Sequence, residues 1–101
     1  MNIDGLITEA KAKFNHNLAK AYLKEKYQSK LIFADQGGLW VANKELITFL
    51  LGITTDEVVI LDSYENPIKV NRVQLLNQVT KVYTESMNEW YEEFTKLRKQ
   101  R

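Results

Sequence analysis

Leu31-Ile32-Phe33-Ala34-Asp35-Gln36-Gly37-Gly38-Leu39-Trp40-Val41-Ala42 is the stretch that decides the fold. Two short apolar runs flank Asp35-Gln36-Gly37-Gly38, a polar turn with two glycines, and this spacing predicts a β-hairpin. Asn43 follows as the N-cap of a short helix over Lys44 to Leu51, with Gly52 as its terminator in the C′ position. That helix is apolar almost all round: Leu46, Ile47, Phe49, Leu50 and Leu51. It is therefore either fully buried or half-buried with a face left for a partner.

Moving toward the C-terminus, Thr54-Thr55-Asp56-Glu57 breaks the chain and Val58-Val59-Ile60-Leu61 reads as the clearest strand. Asp62-Ser63-Tyr64-Glu65-Asn66-Pro67 is a loop, because Pro67 lacks an N–H and biases Asn66 toward extended geometry. Ile68-Lys69-Val70 alternates like a half-exposed strand. Asn71 with Gln74 forms a capping-box pattern ahead of a long helix. The two middle segments thus repeat one plan: strand, Asp-led turn, strand, Asn cap, helix. A decayed duplication and two ββα units obeying the same local rules both account for it.

Toward the N-terminus, Asp4 is the expected cap of a first helix over residues 5–29. Ile7, Ala10, Phe14, Leu18 and Ala21 form its apolar face, and Lys13, His16, Lys20 and Lys24 form an opposite, basic and solvated stripe. The last helix, over residues 73–101, carries Leu76, Val79, Tyr83, Met87, Trp90, Phe94 and Leu97 at a mean step of 3.5 residues. That is the coiled-coil period. Such a helix spans about 43 Å at 1.5 Å per residue. A compact chain of 100 residues has a radius of gyration of only about 13 Å. The helix should overhang its own domain unless the first helix lies antiparallel beside it, with a sheet beneath. The expectation is a single α+β domain over residues 1–101, ordered helix, hairpin, short helix, hairpin, long helix.

Composition narrows the chemistry. The chain has 101 residues, 14 Lys plus Arg, 13 Asp plus Glu, one His and no Cys. A net charge of +1 gives no support to binding nucleic acid by bulk charge alone. The absence of Cys excludes disulfides and thiolate chemistry, and a single His argues against a zinc site or a histidine-based triad. The most apolar stretch, Leu46 to Ile53, is far short of the roughly 20 residues that cross a bilayer. Met1-Asn2-Ile3-Asp4-Gly5 has no signal-peptide pattern, so the expected setting is cytoplasmic and no membrane partner is expected. Charge is unevenly placed: +3 over residues 1–30, −4 over residues 31–70 and +2 over residues 71–101.

Each candidate for chemistry has a plainer structural explanation. The Asp35–Gly38 turn lacks the Lys-Ser/Thr of a phosphate loop and is read as a hairpin turn. Glu85, Glu89, Glu92 and Glu93 share a helix, but di-iron bundles also need Glu-x-x-His, and Lys96 is in reach as an ordinary ion-pair partner. Asp56, Glu57, Asp62 and Glu65 occupy turn and cap positions. His16 stands between cations with nothing to orient it, as a surface residue. No catalytic residue, metal or cofactor is assigned. Trp90, Tyr91 and Phe94 beside Lys96, Arg98, Lys99 and Arg101 are more telling, since aromatics next to cations can pack a helix, bind a protein or stack bases.

Lys20 to Tyr27, Gly37-Gly38-Leu39-Trp40, Leu61 to Pro67 and Met87-Asn88-Glu89-Trp90 together resemble small uncharacterised proteins of T4-like tailed phages, particularly those of marine cyanobacteria. The resemblance covers nearly the whole chain. It implies a phage origin and a host-cytoplasm or virion setting, and no functional residues. The reading is a non-enzymatic interaction or assembly factor acting through Tyr83, Met87, Trp90, Phe94 and Leu97, by self-association or with a protein partner. The alternative is a nucleic-acid accessory protein using Lys13, Lys20, Lys24, Lys96, Arg98, Lys99 and Arg101.

Overall fold

The computed structural model describes residues 3–99, with the side chains of residues 3–10, 12 and 14 outside the description. The order is α1 (Ile3–Lys30), β1 (Ile32–Asp35), β2 (Gly38–Val41), α2 (Lys44–Gly52), β3 (Glu57–Leu61), β4 (Pro67–Asn71) and α3 (Arg72–Lys99). The chain is α+β as its sequence indicates. The strands form two separate antiparallel hairpins, β1–β2 and β3–β4, rather than one sheet.

Local chemistry builds each hairpin. Gln36 and Gly37 both have positive φ, 50° and 82°, and join Asp35 to Gly38 as a two-residue turn of the kind that matches strand twist. The Trp40 indole lies across Gly38, where an added Cβ would come within 2.6 Å of a ring carbon, and its Nε1–H donates to the Asp35 carbonyl at 2.8 Å. In the second hairpin the Asp62 carboxylate accepts from the backbone N–H groups of Tyr64 and Asn66, which fixes the five-residue loop.

The hairpins are tied by polar side chains that imitate strand pairing. Leu39 N–H donates to Asp62 Oδ2 at 3.1 Å and its carbonyl accepts from Ser63 N–H at 2.8 Å. The Gln36 amide pairs with the Asn71 backbone in both directions, accepting from its N–H at 2.7 Å and donating to its carbonyl at 3.3 Å. Gln36 thereby satisfies the Asn71 N–H that a capping box would have assigned to Gln74.

Asn43 and Asn71 cap their helices identically, accepting from Leu46 N–H at 2.8 Å and Gln74 N–H at 3.0 Å. Gly52 is the last residue of α2, without the left-handed C′ geometry expected of it, and Ile53 follows in extended conformation. The end of α2 is instead stopped by Arg72, whose guanidinium donates to the carbonyls of Leu50 and Thr55. Trp40, Ala42, Leu50, Val70, Leu75 and Val79 form the core, joined by half-buried side chains that include Phe33, Leu46, Ile60 and Tyr83.

Beyond this head the chain is a two-helix stem. Lys30 pairs with Glu89 at 2.9 Å, Tyr27 stacks on Trp90 at 5.8 Å between centroids, and Lys26 pairs with Glu93 at 2.8 Å. As α1 steps back from Lys30 to Lys26 its partner steps forward on α3, so the helices run antiparallel. By that register Lys99 is level with about residue 19, and residues 3–16 of α1 project roughly 20 Å past it. The helices overlap along half their lengths, not all. The molecule measures 67 × 24 × 19 Å, with a radius of gyration of 19.5 Å.

Candidate interaction surface

The structure turns both long helices away from the faces their sequence periodicity suggests. On α1, Leu23 and Tyr27 are buried and His16 half-buried, whereas Leu18 is 53% exposed and Ala21 is exposed. Ile7, Ala10 and Phe14, the rest of the expected apolar face, lie outside the described side chains. Residues 23, 27 and 30 therefore line the seam, and half-buried His16 lies on the same side of α1, nearly opposite the expected face. The physical cause is the Tyr27–Trp90 stack with its flanking ion pairs, which fixes the azimuth of a stiff helix at its head end. Asp4 lies inside α1, which already begins at Ile3, so it is not the N-cap.

His16 is corrected by the same rotation. It is half-buried rather than solvated, and its Nδ1 is enclosed with no hydrogen-bond partner among the described residues.

On α3 the buried line is Leu75, Val79 and Ser86, continued by half-buried Val82 and Glu93. The expected stripe is turned from it by roughly 70° at 100° per residue. Its members divide accordingly. Tyr83 packs against the head core, Trp90 stacks on Tyr27, and Leu97 is half-buried in the stem. Met87 and Phe94 line a shallow groove with Trp90 and Tyr91, the last 70% exposed. Across Trp90 and Phe94 a second groove is walled by Asn17, Lys20, Ala21 and Lys24 of α1. Nearer the head a third groove separates α2 from α3, bounded by Ile47, Leu51, Leu76, Thr80 and Thr84.

Leu76, Thr80, Thr84, Met87, Tyr91 and Phe94 step by 4, 4, 3, 4 and 3 residues, so the grooves share one helical face. This face runs from α2 to the middle of the molecule. Tyr91, Ile47 and Leu51 lie off the stripe that periodicity marks on α3, and Ala21 belongs to the apolar face expected of α1. Tyr91 is displaced from the stripe by one residue, and the other three belong to elements brought alongside only by the tertiary fold. The short helix α2 is half-buried, with Leu50 inside and Phe49 and Leu51 outward.

Charge follows the rod. The antiparallel stem gathers exposed Lys13, Lys20 and Lys24 with exposed Lys96, Arg98 and Lys99 toward one end, and Arg101 lies outside the described residues. Residues 31–70, net −4, all lie in the head at the other end.

The titratable groups serve structure. Backbone N–H groups of Asn66, Leu39 and Tyr64 hold the Asp62 carboxyl below its ordinary value against the opposing cost of burial, leaving it an anion rather than a proton donor. Hydrogen bonding to Lys26 lowers Glu93 and, reciprocally, raises Lys26, while burial raises the Tyr27 hydroxyl. Lys26 and Lys30 also sit over the Tyr27 ring at 5.3 and 5.0 Å from its centroid. Among the described residues, no three acidic or histidine side chains gather as a metal site requires, and no helix is long and apolar enough to cross a membrane. No known protein family, curated protein or solved structure matches the chain.

Proposed function

We propose that this chain is a non-enzymatic interaction or assembly factor whose binding surface is the outer face of α3 with the adjoining flank of α1. The observation that carries the reading is the apolar face from Leu76 to Phe94. It holds Trp90 and Phe94 between two grooves, with Tyr91, 70% exposed, lining one of them. Aromatic side chains presented on a stiff helix offer large contact area at low entropy cost, the usual make-up of a protein-binding hot spot. A phage setting in host cytoplasm or virion belongs to the same proposal and rests on the sequence resemblance alone.

The test compares Tyr91→Glu and Phe94→Glu with Tyr64→Glu, which alters an equally exposed tyrosine on the head. Circular dichroism checks the fold, and association is read by chemical cross-linking of the pure chain and by capture from a bacterial lysate. The stem variants should lose association and the head variant should keep it. Loss on Tyr64→Glu with retention in both stem variants would overturn the reading.

One observation favours a second reading, a single-stranded nucleic-acid accessory. Lys20 and Lys24 rim the same groove that Trp90 and Phe94 floor, which joins cations to a stacking surface. Filter binding to single- and double-stranded DNA over a salt series decides it, since phosphate contacts must weaken as salt rises.

A further inference from the structure

The second hairpin has two edges, and they differ. Asp62 N–H donates to the Asn66 carbonyl and Arg72 N–H to the Asp56 carbonyl, which frames the register from Glu57 opposite Asn71 to Leu61 opposite Pro67. The even-numbered residues of β3 therefore aim their backbone groups at β4, while Glu57, Val59 and Leu61 aim theirs outward. On β4 every outward position is blunted: Pro67 has no N–H, Lys69 is charged, and Gln36 occupies both backbone groups of Asn71. On β3 only the Glu57 carbonyl is met, by the Thr55 hydroxyl at 2.9 Å. The Glu57 N–H and both backbone groups of Val59 and of Leu61 have no hydrogen-bond partner among the described residues, and no strand but β4 pairs with β3.

We infer that the outer edge of β3 docks an extended segment of another protein, which adds a strand to the hairpin. This goes beyond the α3 surface, and neither reading depends on the other. Backbone groups at ladder spacing specify the conformation of the occupant. A helix has its own N–H groups already paired and leaves such an edge unsatisfied, whereas an extended backbone matches it group for group. The five residues of β3 span about 17 Å at 3.3 Å each. Their outward side chains Val59 and Leu61 are 59% and 63% exposed, and exposed Pro67 lies opposite Leu61. These form one apolar strip on the solvent face, so the incoming strand carries aliphatic side chains at alternate positions.

Charge decides between a foreign strand and a second copy. Residues 55–72 hold Asp56, Glu57, Asp62 and Glu65 against Lys69 and Arg72, a net of −2. Both cations are engaged, Lys69 with Glu57 at 3.0 Å and Arg72 with the carbonyls of Leu50 and Thr55. Asp62 is held by three N–H groups. Asp56 and Glu65 remain exposed on the two sides of β3, with no ion pair among the described residues. Edge-to-edge pairing of two copies would bring two such acidic hairpins together, at a cost. A foreign strand with a cation at each end meets Asp56 and Glu65 with a gain.

The test titrates the whole chain with the peptide acetyl-Lys-Val-Thr-Val-Thr-Val-Lys-amide and follows backbone amide resonances. Saturable shifts centred on Val59 and Leu61, with slowed solvent exchange of those two amides, are the expected result. Methylating the central Val nitrogen of the peptide removes the N–H that faces β3 and should abolish binding. Methylating the neighbouring Thr nitrogen, which faces away, should leave it intact. Val59→Pro should weaken binding about tenfold, since it deletes an outward N–H and leaves the β4 ladder alone. Leu61→Lys, which keeps the backbone whole and sets a cation beside those of the peptide, should weaken it too, with circular dichroism confirming the fold of both variants. Tyr91→Glu should bind the peptide as the parent chain does, which keeps this outcome separate from the α3 reading. Absence of shifts at millimolar peptide, or equal binding of the two methylated peptides, would overturn the strand-docking edge. Shifts of the Val59 and Leu61 amides on concentrating the protein alone would assign the edge to a second copy and overturn the foreign strand.

Discussion

The head and the stem are built from the same helix, α3, and yet they are held by different physics. In the head, Leu75 and Val79 of α3 close over Trp40, Leu50 and Val70 with no exposure to solvent, and polar ties at Gln36, Asp62 and Arg72 fix the surrounding segments. In the stem, residues 86–99 of the same helix meet α1 through one aromatic stack, one buried leucine and two ion pairs. Exposed ion pairs contribute little net stability. The difference teaches that helical periodicity measures how much apolar surface a helix has, not where its neighbour stands. Where the chain supplies a full core, that surface is spent inside. Where it does not, the remainder faces outward and becomes available for binding.

Core truncation gives the largest contrast. Leu75→Ala in the head should lose about 2–5 kcal/mol in urea unfolding, as buried leucines do. Leu23→Ala in the stem should lose less than half of that, and equal losses would break the distinction between the two regions. Next comes Gly38→Ala, whose new methyl meets the Trp40 ring and should cost about 1–3 kcal/mol through overpacking, read as a lower Tm.

Asp62→Asn should lower Tm at neutral pH, since one amide oxygen cannot receive three N–H donors. The sign with pH follows from the depressed carboxyl: the contribution is present above the unfolded value of 3.8 and fades as pH falls through the lower, folded value. The gap between wild type and variant should therefore close below pH 3.8. Asn43→Ala, which removes a cap on a short head helix, should cost about 1 kcal/mol by thermal melting. Lys26→Ala in the stem comes last, with a change in Tm near the limit of measurement. A loss there as large as that of Asn43→Ala would mean the stem is held by charge after all.

The contrast also explains what could be read in advance. Both hairpins, both Asn caps and the order of elements depend on residues within a few positions of each other, so Gln36-Gly37, Asn43 and Asn71 announce them. The azimuth of α1 depends on Tyr27 finding Trp90, 63 residues away, and the half-length offset depends on how the head claims residues 72–85 of α3. Nothing local encodes either. Hence Leu18 and His16 exchange the environments their periodicity suggests. The candidate surface was legible in Met87 and Phe94 from the stripe and in Tyr91 from the aromatic cluster, but the way Ile47, Leu51 and Ala21 come to wall it was not. Gly52 shows the same limit at smaller scale, because Arg72 terminates α2 from 20 residues away.

The measurement that tests this contrast most directly is residue-resolved amide hydrogen exchange. Protection should be greatest at Leu50, Val70, Leu75 and Val79, while residues 17–30 and 86–99 exchange faster. Equal protection in head and stem would contradict the account.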